Sequence, residues 1–275
     1  MNDFTLHAYR KLLMALKNAD YEFSTFEEWC DGKAEGRYVI LRHDVDLKAA
    51  HSLATAQMEA EVGVRATYYF RIVPQSNQPE IIRAIAALGH EIGYHYEDLS
   101  LFSGDEVKAI KHFEKQLAHF RQFYPVRTIC MHGSPTSRFD NRDLWKTYNY
   151  RDYGIIGEPY FDFLSPLSKN SGNGVTYFTD TARMWDGDKF NIRDKPTHQE
   201  TYLSIQPVNQ PVNQSAPHIH TTFDFINWLN THPVVNTMMI TTHPQRWTDN
   251  KFEWMLELIK QRVKNQIKRI ILINN

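Results

Sequence analysis

Between residues 37 and 241 the chain alternates short β-rich runs with helical patterns, and this alternation restricts the fold more than any other feature. The strand candidates are RYVILR (37–42), ATYYFR (66–71), HEIGYH (90–95), RTICM (127–131), YGII (153–156), VTYFT (175–179) and TMMIT (237–241). Helical periodicity occupies 47–61, 79–88, 104–123 and 140–148, recurs at 222–230, and returns in a long stretch from about 250 to 265. Strands joined through helices cannot pair as hairpins, so the sheet is expected to be parallel. Ahead of it, residues 4–18 read as an amphipathic helix. STFEEWC reads as a second, short helix started by Ser24 or Thr25 with Glu27 or Glu28 behind it. The expected organisation is an N-terminal helical extension over 1–36 followed by one α/β unit over 37–275.

Two stretches interrupt the alternation, near 163–174 and 195–218. Both are rich in Ser, Asn, Gln, Gly and Pro and read as loops. The tandem PVNQPVNQ inside the second is too short for a solenoid and reads as a mobile segment, either a lid or an insertion without function.

With 275 residues and 42% hydrophobic content the chain can bury a large core, and a formal charge of −1 argues against a nucleic-acid partner. No run reaches membrane-spanning length, and the opening helix lacks the apolar core and cleavage site of a signal peptide. Cys30 and Cys130 stand far apart without metal-type spacing, as suits reduced, packed thiols. A cytoplasmic location is the expectation.

In parallel α/β folds ligands gather beyond the carboxyl ends of strands, and here those ends are unusually polar. VILRHDVDLKAA (39–50) closes its apolar run on Asp44 and Asp46, which strand parity puts on one face, with Val45 on the other. Asp46 could cap the helix that follows. Asp44 has no such role, and the pair needs a cation, a salt bridge such as Arg42, or a proton. GHEIGYH puts Glu91, Gly93 and His95 on one face, with Glu97 beyond. His132 follows the fourth strand, Asp180 and Arg183 the sixth, and His243 the last, where Pro244 ends it. His and Asp side chains converging from several strands resemble a metal site. Taken singly, His90 reads as core, and His7, His112 and His119 as surface. Trp185 and Trp247 could stack on a sugar ring or serve as core, and Asp180 and Arg183 are close enough to pair.

These residues resemble the polysaccharide deacetylases, carbohydrate esterase family 4 with its NodB homology domain. HDVD resembles the Asp-x-Asp of the first motif, GHEIGYH the second, and ITTHP the closing one. The resemblance runs from about Arg37 to the last helix and rests on these short motifs. It implies a distorted (β/α)7 barrel of parallel strands, NodB-like, with extra N-terminal helices. It also implies Asp44 as catalytic base, Asp46 and His95 as ligands of a divalent metal, and His243 as the acid. Zinc is the expected ion, with Co, Ni and Mn as alternatives. Leu99 stands where the family usually has another histidine, and MHGSPTSRFDN replaces its Arg-Pro-Pro run. His132, Glu97 or Asp98 then supplies the missing ligand. The implied activity is metal-dependent removal of an acetyl group, N-acetyl in the first instance, from a sugar or glycan precursor. Trp185, Trp247 and Arg183 are the candidate substrate contacts. The rivals are a non-catalytic carbohydrate-binding descendant and a hydrolase of a non-sugar amide.

Overall fold

The computed structural model describes residues 2–165, 175–187, 219–231 and 235–273, with side chains as far as 266. The loop expectations for 166–174 and 195–218 lie outside the described residues. The strands are β1 (Glu22–Ser24), β2 (Tyr38–Val45), β3 (Thr67–Phe70), β4 (Glu91–Tyr96), β5 (Ile129–Met131), β6 (Val175–Thr179) and β7 (Thr237–Thr242). All pair in parallel, in one curled sheet of order β5-β4-β3-β2-β7-β6. No pairing joins β5 to β6 among the described residues, so the sheet is an open half-barrel.

The helices follow the sequence pattern: α1 (Leu6–Asn18), α2 (Phe26–Cys30), α3 (Ala49–Glu61), α4 (Pro79–Ala87), α5 (Asp98–Leu101), α6 (Glu106–Phe120), α7 (Thr222–Thr231) and α8 (Lys251–Ile273). Thr25 caps α2 in a reciprocal box with Glu28, which satisfies two backbone N–H groups at its start. The segment 140–148 forms a 3₁₀ helix, Asn141–Lys146, instead of an α-helix.

Central β2 carries the fold. Val39, Ile40 and Leu41 have no exposed surface, as expected of a parallel strand covered on both faces. Its neighbours divide it: β7 pairs with Tyr38–His43, β1 with Tyr38–Ile40, and β3 with Arg42–Val45. The N-terminal region carries the two expected helices, α1 and α2, and also joins the sheet. Residues 22–24 add a strand to the sheet, and Tyr9 of α1 donates through its hydroxyl to buried Glu59 on α3 at 2.7 Å. A three-residue strand is too short to leave a period in the sequence. The strand expected at 153–156 is reduced to one bridge, Thr128 with Gly157, because the chain turns directly into the helical segment Pro159–Phe163.

Parity sorts the side chains of β2. Arg42 and Asp44 face the concave interior. His43 faces α3, where its Nε2 lies 2.8 Å from Glu59 Oε1 and its ring lies over Tyr68. In β4, Tyr94 packs outward on Phe113 and Phe120 of α6, while Glu91, Gly93 and His95 point inward. Gly93 is needed there: a Cβ would collide with the Tyr69 ring.

Candidate metal centre

The carboxyl ends of β4, β5 and β7 bring three of the expected histidines together around the carboxylate of Asp46, at the end of β2. Asp46 Oδ1 lies 3.6 Å from Nε2 of His95 and 3.6 Å from Nε2 of His132, and Asp46 Oδ2 lies 3.9 Å from Nε2 of His243. Gln245 donates to Asp46 Oδ2 at 3.2 Å. Asp46 Oδ1 is buried without a hydrogen-bond partner. Such an oxygen is costly unless something charged satisfies it.

Each of these imidazoles is held by its other nitrogen. His95 Nδ1 lies 2.9 Å from the Cys130 carbonyl, which can only accept, so Nδ1 carries the proton and Nε2 a lone pair. His132 Nδ1 lies 3.0 Å from Glu97 Oε2 and 3.1 Å from Ser134 Oγ, and Arg71 grips the same Glu97 with two bonds. His243 Nδ1 lies 2.6 Å from Asp180 Oδ1. Fixing the tautomer in this way is what orients histidines toward a metal or a reacting group.

The two aspartates of HDVD are neutralised separately. Both Asp44 oxygens accept from Arg42, Oδ1 from Nε at 2.8 Å and Oδ2 from the terminal nitrogen at 2.6 Å. Tyr160 supports that guanidinium through its hydroxyl at 2.9 Å and its ring face. Asp46 has no guanidinium and does not cap α3, whose N-cap is Lys48, with no side-chain bond. Of the neutralisers open to the pair, a salt bridge serves Asp44, and the unmet demand falls on Asp46 alone.

Electrostatics follow this division. Burial alone would raise the Asp44 pKa, but Arg42 and His95 outweigh it and hold the carboxyl below its ordinary value. Asp46 is likewise lowered: burial opposes, and His132, His243 and His95 prevail. His95 falls to about 4, mainly through burial and against the pull of Asp44, so its ring is neutral at pH 7. His243 goes the other way. Burial and Arg246 lower it, yet Asp180 and Asp46 together leave it above the ordinary histidine value.

Other expectations need correction. Trp185 and Trp247 are each only 2% exposed and offer no face to a sugar. Trp247 packs on Phe4 and Tyr9 and donates its Nε1–H to Asp180 Oδ2 at 2.8 Å, and Trp185 packs on Phe225. Arg183 does not pair with Asp180. It donates to the Trp254 carbonyl and lies over the Trp254 ring, while Arg246 takes Asp180 Oδ1 at 2.6 Å. Of the alternatives for the missing histidine, Asp98 turns to Tyr94 and His112, and Glu97 stands behind His132. His132 is the group that faces Asp46.

Cys130, expected as a packed thiol, is buried within β5. Register pairs it with His95, and a ligand atom from each of Asp44, His95 and Cys130 falls within 4.8 Å of the others. The Arg42 bonds already occupy the Asp44 oxygens. Among the described residues the Asp44–His95–Cys130 group is the one whose ligand atoms all lie that close; beside it stands the orphaned Asp46 oxygen, 3.6 Å from Nε2 of His95 and 3.6 Å from Nε2 of His132.

No family model matches the chain, and no curated protein matches it in sequence. Among solved structures it is similar to a CE4 family pseudoenzyme from Bacillus anthracis at 10% identity and a TM-score of 0.41, covering 86% of this chain and 66% of that one. It is also similar to the peptidoglycan deacetylase PdaC from Bacillus subtilis at 11% identity and a TM-score of 0.35, covering 86% of this chain and 97% of that one. These are distant fold relationships, and at such scores they decide nothing about activity.

Proposed function

We propose that the chain is a metal-dependent hydrolase that removes an acetyl group, N-acetyl in the first instance, from a sugar or glycan precursor. The observation that carries this reading is the orphaned Asp46 oxygen with Nε2 of His95 and Nε2 of His132 each at 3.6 Å. Asp46, His95 and His132 would hold the ion, and zinc suits a set of two imidazoles and one carboxylate. A bound divalent cation supplies acidification of water and polarisation of the acyl carbonyl.

The chain's own groups carry the protons. Asp44, aimed and kept ionised by Arg42, takes a proton from the attacking water. As the carbon–nitrogen bond breaks, His243 gives a proton from Nε2 to the departing amine, leaving acetate and a free amine. Asp180 keeps the His243 Nδ1 proton in place during that step, and Arg246 and Trp247 keep Asp180 in place.

A second reading, a carbohydrate-binding descendant without turnover, is favoured by one observation. A carboxylate engaged through both oxygens by a buried guanidinium is a weak base. Two measurements separate the readings. Protein purified without chelator is expected to contain one ion per chain, lost in His132→Ala. Acetate release from acetylated sugars and sugar nucleotides is expected to vanish in Asp44→Asn while the ion stays bound. Full acetate release by Asp44→Asn, or an ion-free wild-type protein, overturns the hydrolase reading.

A further inference from the structure

On the far side of the molecule's last helix lies an apolar surface that no element described here covers. Along α8, Phe252, Met255, Leu256, Ile259 and Val263 are 71%, 56%, 40%, 54% and 55% exposed. At 100° per residue these five share one stripe, about 17 Å long. The opposite face anchors the helix to the domain: Trp254 Nε1 donates to the Asp3 carbonyl at 2.7 Å, Gln261 is buried, and Asn265 donates to the Ala182 carbonyl at 3.2 Å. The stripe is thus held outward by contacts that do not involve it.

Charge decides what such a stripe can meet. Residues 260–269 hold Lys260, Arg262, Lys264, Lys268 and Arg269; the acidic residues of the helix, Glu253 and Glu257, come before them, Glu253 turned to His51 and Thr248, and none occurs from 258 to 275. Exposed Lys260 and Arg262 flank the stripe by roughly 80° on either side. A second copy is penalised in both orientations. An antiparallel pair centred on 259–263 sets Lys260 and Arg262 beside their own copies, and a parallel pair sets Lys260 of each copy beside Arg262 of the other. Nucleic acid would accept the cations but not the apolar stripe between them. A surface that is anionic at its headgroups and apolar just beneath satisfies both.

We propose that α8 docks this chain on an anionic phospholipid surface, with the stripe at the level of the acyl-chain boundary and the flanking cations among the phosphates. The helix lies along the surface. No helix among the described residues is long and apolar enough to cross a membrane. This docking is independent of the hydrolase reading, because binding is measured without turnover.

The test is cosedimentation of the full chain with phosphatidylcholine vesicles, with and without phosphatidylglycerol. Retention is expected only on the anionic vesicles, and is lost as salt rises from about 0.05 M to about 0.5 M. Lys260→Glu with Arg262→Glu should weaken it about 25-fold or more, at roughly fivefold per cation lost. Ile259→Ser with Val263→Ser should weaken it to a similar degree. Both pairs lie on exposed surface, so an unchanged thermal midpoint verifies folding. Absence of retention at low salt, or retention untouched by either pair, overturns the proposal. So does a dimer in sedimentation velocity that Ile259→Ser with Val263→Ser dissolves while wild type ignores vesicles, which would identify the occupant as a second copy.

Discussion

Glu91 sits inside the half-barrel, two inward positions below His95, and its environment sets a measurable pH dependence of stability. The carboxyl is 2% exposed and accepts bonds from Thr128, from Thr67 Oγ1 at 2.7 Å and from the Glu27 N–H at 2.8 Å. Burial outweighs these bonds and raises its pKa from 4.5 to about 7. A carboxyl with a raised folded pKa binds its proton more tightly when folded. Its contribution is therefore fully present below the unfolded value and lost as pH rises through the folded one. The shift corresponds to about 3 kcal/mol, of which roughly 2.5 kcal/mol falls between pH 5 and pH 8. Glu91→Gln keeps an acceptor oxygen for Thr67 and Glu27 and cannot ionise. Urea unfolding of both proteins from pH 5 to pH 8 should show the variant gaining on wild type by about that amount. Glu158, raised to about 7 by burial, contributes a similar slope to both proteins and cancels in the difference. A stability difference that stays flat across this range would mean that Glu91 is ionised in the fold, and would refute the argument.

Two further outcomes bear on the polar clusters either side of β2. Glu59 accepts from Tyr9 and Tyr68 at 2.7 and 2.6 Å and contacts His43 at 2.8 Å, all without exposure to water, so Glu59→Ala strands three buried polar groups. It should cost about 3–5 kcal/mol by denaturant unfolding, and a loss below about 1 kcal/mol would show that the cluster relaxes freely. Glu97→Ala removes the acceptor behind His132 Nδ1 without touching Asp46. Zinc affinity by titration calorimetry should fall about 10–100-fold, and unchanged affinity would remove His132 from the proposed ligand set.

Period and parity settle much of this protein from the sequence alone. The βα alternation leads to parallel strands, six of the seven expected strands form, and the inward face of GHEIGYH is as parity requires, because each depends on neighbours only a few residues away. Strand β1 escaped that reading because its three residues become a strand only by pairing with β2. The site divides along the same line. That Asp44, Asp46, His95, His132 and His243 stand at strand ends is legible in their motifs. Which partner each takes is not, because it depends on strand order. Arg42 was one of three possible neutralisers for Asp44, and only the fold selects it, leaving Asp46 to the imidazoles of three other strand ends. Asp180 meets Arg246 and not nearby Arg183, because β6 lies beside β7. The indoles of Trp185 and Trp247 turn inward for the same reason: burial is decided by what packs against a side chain, and those contacts come from residues distant in the chain.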